Sequence, residues 1–452
     1  MEKNLFKFIA LTWKGLGIFS DVLLVLIIAG LAVFFFMNRY LFNIAVRNIF
    51  RNTRRSIITI LAIAIGNIGI IIFGGFISYT YYGLRESTIH SQLGHFQIYK
   101  KGYSEYGMVD PMKYKLYNFK EIKQTIMNDE VLKPLVEGVL LEVNFSGLVT
   151  AGTNSSSFLG RGVDPDVDRL LSSFDQLKSG NKLVSGDSEV VTTGYLLKKA
   201  LGANDGDDLT ILTQTNKFGL NVIDVKLKGT TESMSSDYDK MLLKMPINDA
   251  WRLMGEEYVD KMIVILHNTD DLPKVLNRFD TLSNKNNFDV EYKTWYDLAT
   301  FYKSVISLYN GFFGFIKWII CVIIIVFITN TLYMAVMERV TEIGTLRTIG
   351  TKKIMVIQNF VIESTIMGII GGLLGIISSV ILAQIINIFG IPQSPPPGSN
   401  VGYNAYIRLM DKDSIGFIYF SFKLSILVSF FASFLPSKEA IDMEIVESLR
   451  HY

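Results

Sequence analysis

The sequence predicts an α-helical membrane protein with four core transmembrane helices, one further hydrophobic segment at the amino end, and a large α+β domain inserted between core helices 1 and 2. Three observations predict it. Of 452 residues, 49% are hydrophobic and mean hydropathy is positive, too apolar for one water-soluble domain; 19% are charged, too many for a chain lying wholly in lipid. Apolar runs able to cross about 30 Å of hydrocarbon at about 1.5 Å per residue fall within 56–79, 301–336, 361–389 and 415–435. Residues 80–300 contain no such run.

Residues 1–37 carry Lys3, Lys7 and Lys14, then the apolar stretch Val22–Phe36. About fifteen residues is short for a span and close to a signal-peptide core, but no small-residue cleavage site follows. Two alternatives stay open: an extra hydrophobic helix, favoured because random upstream translation seldom yields so clean a run, or a natural start at Met37. Over 38–55 the residues Phe42, Ala45, Val46, Ile49 and Phe50 share one helical face, and Arg47, Arg51, Arg54 and Arg55 fill the other. Such a basic amphipathic helix lies in the membrane interface. Five arginines from Arg39 to Arg55 place the amino end of the first core span, 56–79, on the cytoplasmic side. Residues 80–300 are then extracytoplasmic.

Within that insert, Ser188–Thr193, Asp208–Gln214, Val222–Leu227 and Lys240–Pro246 alternate or are β-branched, as strands do, and Tyr195–Gly202 has a helical pattern ending in Gly202. Lys261–Leu266, Asp271–Ser283 and Phe288–Lys293 give strand, helix, strand, and His95–Tyr99 offers one more strand. An early and a late half therefore flank a β-rich middle, roughly 140–255. Residues 301–336 form a stalk and the second core span, whose apolar core begins near Gly311.

Residues 337–353 return to polar composition. Val340, Ile343 and Leu346 fall at three-residue spacing, so a short helix with one apolar stripe is expected. Glu338 and Glu342, four apart, repel. Gly344 costs roughly 1 kcal/mol against Ala inside a helix, and Gly350 is a stop signal. Local propensity does not select this sequence, so a partner surface is expected to. The third span, 361–389, holds Glu363 and the interlocked pairs Gly368/Gly372 and Gly371/Gly375, which permit close helix approach within the chain or between chains. The outer loop, 390–414, contains Pro395-Pro396-Pro397-Gly398; the last span, 415–435, contains Lys423; residues 436–452 are a cytoplasmic tail. Lys423 is expected to snorkel or face a polar interior, too far in depth from Glu363 to pair with it.

A net charge of +2 gives no bulk affinity for nucleic acid. The only cysteine, Cys321, lies in an apolar run, and the four histidines form no HExxH. No GxSxG elbow and no GxxxxGK[ST] phosphate loop is present. The chain is expected to be no enzyme, with no metal or cofactor of its own.

The stretch 338–350 closely resembles the signature of the FtsX-like, MacB-type ABC permeases, roughly E-R-x-x-E-I-G-x-L-R-x-I-G. Every fixed position is met: Glu338, Arg339, Glu342, Ile343, Gly344, Leu346, Arg347, Ile349 and Gly350. The resemblance implies a cytoplasmic coupling helix docking on an ABC ATPase, with Glu342 a solvent-exposed carboxylate in the lone subunit. Ala45, Arg47, Asn48, Arg51, Arg54 and Arg55 resemble the family's elbow helix, and the insert more loosely resembles its MacB-like periplasmic core domain. Implied with these are a bacterial cytoplasmic membrane location, ATP and Mg on a separate ATPase chain, and a second permease, homo- or heterodimeric. The proline loop and layout resemble the lipoprotein-releasing branch, which implies lipoprotein release with a lipoprotein or other extracytoplasmic partner. Export of a drug, peptide or siderophore, or FtsX-like signalling to a cell-wall hydrolase, are the alternatives. The residues that would touch substrate are not identified.

Overall fold

The computed structural model describes residues 21, 23–27, 29–30, 39–51, 53–107, 109–110, 113–173, 175–215, 219–232, 236–393 and 403–442. The proline-rich stretch from Pro395 to Gly398, most of 1–37, and the tail beyond 442 lie outside them. One compact unit draws on 1–80, 308–391 and 405–452, the other on 81–307 and 392–404.

In chain order, α1 (Arg39–Arg51) is followed by the long α2 (Thr53–Thr88). A π-helical turn, Ile89–Leu93, closes on Gly94, whose N–H donates to the Ile89 carbonyl at 2.8 Å with φ at 63°. The insert follows: β1 (Phe96–Lys100), α3 (Phe119–Asn128), β2 (Val136–Ala151), β3 (Asn154–Val163), α4 (Pro165–Leu171), β4 (Gln176–Gly180), β5 (Val190–Gly194) and α5 (Tyr195–Leu201). Then come β6 (Asp208–Thr215), β7 (Gly219–Glu232), β8 (Leu242–Pro246), α6 (Ile247–Met254), β9 (Lys261–Leu266), α7 (Leu272–Lys285) and β10 (Val290–Thr294). Beyond these the described residues include α8 (Thr300–Met337), α9 (Val340–Thr348), α10 (Lys353–Phe389) and α11 (Lys412–Asp442).

The insert's early and late halves share one antiparallel arrangement in the order β10-β1-β9-β2, with α3 and α7 as its helices, a split βαβ pattern. The middle is a closed circuit. β2 pairs β3, β3 pairs β8, β8 pairs β5, β5 pairs β7, β7 pairs β6, and β6 returns to β2. Its buried side includes Val143, Phe145, Val149, Phe158, Val191, Leu209, Ile211, Leu227 and Leu243. On the opposite face, Leu148, Leu212 and Val222 are direct cross-strand neighbours, with Leu148 and Val222 about half exposed. The strands at β2 and β3 are additions to the sequence expectation.

Among the described residues, α2, α8, α10 and α11 are long and apolar enough to cross a membrane. The glycines of α10 face two neighbours in the same chain. A β-carbon at Gly371 would stand 3.0 Å from the Ile60 carbonyl oxygen, and one at Gly375 equally close to that of Ala64, both on α2. Gly368 meets Ser425 and Ser429, and Gly372 meets Phe422, on α11. Small residues here let backbones approach where no water is present to drive association. Ser421, Ser425, Ser429, Ser433 and Ser437 recur every four residues along α11 and are fully buried or nearly so. Asn67 of α2 donates to Ser425 Oγ at 2.6 Å and accepts from the hydroxyl of Ser421.

Lys423 is paired, with Asp21 of the amino-terminal segment at 2.7 Å. The described part of that segment is helical, and its Leu24 and Ile27 bury against Ile426.

Candidate functional site

α8 ends at Met337 and α9 begins at Val340, so the helix expected over 337–353 is shorter and set off by a break at Glu338 and Arg339. Its carboxyl end is a Schellman motif. Thr351 N–H donates to the Leu346 carbonyl at 3.1 Å and Gly350 N–H to that of Arg347 at 3.0 Å. Gly350 sits at φ 93°, where any side chain would be strained.

The expected stripe divides. Val340 and Ile343 are buried with Val336, Val356, Phe360 and Ile441 in one apolar cluster. Gly344 is buried beside them. Leu346 instead is 41% exposed, and Ile349, past the last helical residue, is 78% exposed. The helix and its carboxyl cap therefore spend two aliphatic side chains on their own chain and present two outward.

The charges divide in the same way. Arg339 is not a surface residue: its side chain is 7% exposed. It donates through Nη1 to Glu363 of α10 at 2.6 Å and through Nε to Glu342 at 2.9 Å, and it stands over the Phe360 ring at 4.9 Å. Glu342, expected to be solvent-exposed in the lone subunit, is 38% exposed and also accepts from Arg51 of α1 at 2.8 Å. Burial pushes the Glu342 carboxyl up, but Arg339, joined by Arg51, outweighs it and holds the group below the usual carboxylate range. Burial pulls the Arg339 guanidinium down, while Glu363 and Glu342 raise it further, so it stays charged. Glu338 pairs with Arg55 at 2.8 Å, both about half exposed. Arg347 donates to the Ile441 carbonyl at 2.6 Å, fastening α9 to the end of α11.

On α1, Ala45 and Ile49 are buried, and the half-buried Asn48 lies beside Glu363. Arg47 and Arg54 are exposed. Phe50, expected on the apolar face, is 71% exposed within the chain. Motif reasoning had no place for the pairing of Arg339 with Glu363. One signal was available: a carboxylate inside an apolar span calls for a cation, and Arg339 is 24 residues away.

Two family models match the chain: the MacB-like periplasmic core domain over residues 56–282, just over half of it, and the FtsX-like permease C-terminal region over 314–445. Among curated proteins, it is similar to an uncharacterized ABC transporter permease of Methanocaldococcus jannaschii, 24% identical over 50% of this chain and 54% of that protein. It is likewise similar to the macrolide export ATP-binding/permease protein MacB of Bdellovibrio bacteriovorus, 24% identical over 53% of this chain and 35% of that one. The matches thus span about half or less of these relatives' lengths. Among solved structures, the periplasmic region of MacB from Actinobacillus actinomycetemcomitans aligns over 50% of this chain and 98% of its own, with 15% identity and a TM-score of 0.35. With four membrane-length helices among its described residues, the chain belongs to the FtsX-like, MacB-type family of ABC transporter permeases, multi-pass membrane proteins with a large periplasmic domain.

Proposed function

We propose that this chain is a permease subunit that converts ATP hydrolysis on a separate ATPase into mechanical motion of its extracytoplasmic domain. The observation that carries the proposal is the outward pair Leu346 and Ile349, held on a short helix whose other face and both ends are fastened to the membrane unit. An exposed aliphatic pair on a rigidly held helix fits a groove on a partner protein. The absence of a phosphate loop in the chain supports hydrolysis elsewhere.

A second permease, identical or not, completes the assembly in this proposal. The task preferred is release of lipoproteins from the outer leaflet. The likeness to the macrolide export protein of Bdellovibrio bacteriovorus favours a second reading, export of a small molecule.

The test uses the tagged full-length chain, purified from its own cells with the ATPase that accompanies it. Ile349→Asp should weaken ATPase binding at least tenfold without changing the permease's thermal midpoint. Unchanged binding would refute the docking role. With the intact complex in nanodiscs, stimulation of ATP turnover by a diacylated lipopeptide would support release, and stimulation by a macrolide alone would support export.

A further inference from the structure

The sequence motif places Arg339 and Glu342 among the docking residues, yet Arg339 cannot reach another chain without abandoning a buried carboxylate. We propose that Arg339 is a positioning residue: its guanidinium braces the start of α9 against α10 through Glu363 and, by way of Glu342, against Arg51 of α1. This deepens the coupling reading and rests on it.

The need for a brace follows from the break at Glu338 and Arg339. There the backbone leaves helical geometry, with Arg339 at φ −110° and ψ 15°, so α9 is not a continuation of α8. A push on Leu346 and Ile349 would then turn α9 about that break. The Arg339 fork closes this route, because one planar group donates from two nitrogens to carboxylates on two helices. Lysine, a single ammonium, cannot reproduce the fork. Phe360 beneath the guanidinium and Asn48 beside Glu363 fix the pair from two further sides. Displacement of α9 is thus passed to α10 and α1.

The experiment compares wild type, Arg339→Met, Glu363→Gln, the charge swap Arg339→Glu with Glu363→Arg, and Ile349→Asp, each in the full chain in nanodiscs. Hydrogen exchange at amides 340–348 is read without the ATPase; affinity for the co-purified ATPase and its maximal turnover are read with it. Arg339→Met and Glu363→Gln should speed exchange in α9 at least tenfold, keep affinity within threefold, and cut maximal turnover at least tenfold. The swap should restore slow exchange and at least a third of the turnover. Ile349→Asp should do the reverse, with slow exchange and lost affinity. Should Arg339→Met fail to fold, Glu363→Gln and the swap carry the same comparison. If exchange is unchanged, or if affinity falls as in Ile349→Asp while exchange stays slow, the brace is wrong. If Ile349→Asp has no effect on affinity, the coupling reading fails while the exchange result still judges the brace.

Discussion

α8 and α10 have almost the same length, 38 and 37 residues, and both are strongly apolar, yet they serve the membrane unit in opposite ways. Within their most apolar stretches, 39% of α10 is buried and only 11% of α8. α10 carries Gly368, Gly371, Gly372, Gly375 and Ser379 where other helices approach. α8 buries one narrow stripe, Ile324, Ile328, Leu332 and Val336, and leaves Phe312, Phe315, Trp318, Ile323 and Val326 outward. Hydropathy therefore selects the helices that enter the membrane, whereas side-chain size decides which of them become the interior. Lipid tails are as apolar as leucine, so bulk gains little by burial and smallness gains close contact.

The strongest way to break this contrast is to exchange the sizes. Gly371→Leu with Gly375→Leu drives new atoms against carbonyl oxygens of α2, which cannot move aside as a side chain tip can. Overpacking costs roughly 1–3 kcal/mol per site and more against backbone, so the thermal midpoint of the purified chain should fall by about 10 °C or more. Phe315→Leu with Val326→Leu on α8 should leave it within about 2 °C. The opposite ranking would show that α8, not α10, holds the unit together.

Charge sharpens the same contrast between inside and outside. Glu363→Ala leaves the Arg339 charge short of its buried partner and should cost roughly 3–5 kcal/mol in denaturant unfolding. In the insert, burial first, with His90 adding to it, pulls His95 down to about 4. At about 1.4 kcal/mol per unit below an ordinary value near 6.5, His95 contributes roughly 3 kcal/mol that is present above pH 6.5 and lost as pH falls towards 4. Asp260 works against this loss. Burial raises its carboxyl to about 6, so the folded state gains protons, and stability, across much of the same window. Asp260→Asn should therefore steepen the loss between pH 6.5 and 4, read as hydrogen exchange at β9 in the full chain; an unchanged slope would show that Asp260 does not offset it. Last comes Arg55→Ala, which severs only an exposed pair and should change stability by less than about 0.5 kcal/mol.

Much of this was legible in the sequence where chemistry is local. β9 occupies Lys261–Leu266, the residues whose β-branching marks it, and α5 stops before Gly202 at φ 64°. β2 was missed because Gly138 to Val143 are all buried, which erases the alternation that reveals a strand. α2 runs nine residues past its apolar stretch into polar sequence that hydropathy does not mark, where Thr80 donates to the Phe76 carbonyl and Thr88 to that of Leu84. On α9 the motif marks positions but not the directions of their side chains. A fixed position in a pattern reads alike whether the side chain meets its own chain, as Arg339 does, or points away, as Ile349 does.

β1 and β10 lie side by side, with Phe96 opposite Thr294 in the ladder. The two ends of the insert, nearly two hundred residues apart in the chain, therefore meet at neighbouring strands. The entropy of closing such a loop grows only with the logarithm of its length, so the membrane unit feels little of what the loop contains. A foreign domain whose own ends are adjacent could replace the segment between Gly94 and Trp295 without stretching the chain. By this geometry the insert enters and leaves through one pair of neighbouring strands, so its contents can change without moving the two points where the chain joins it.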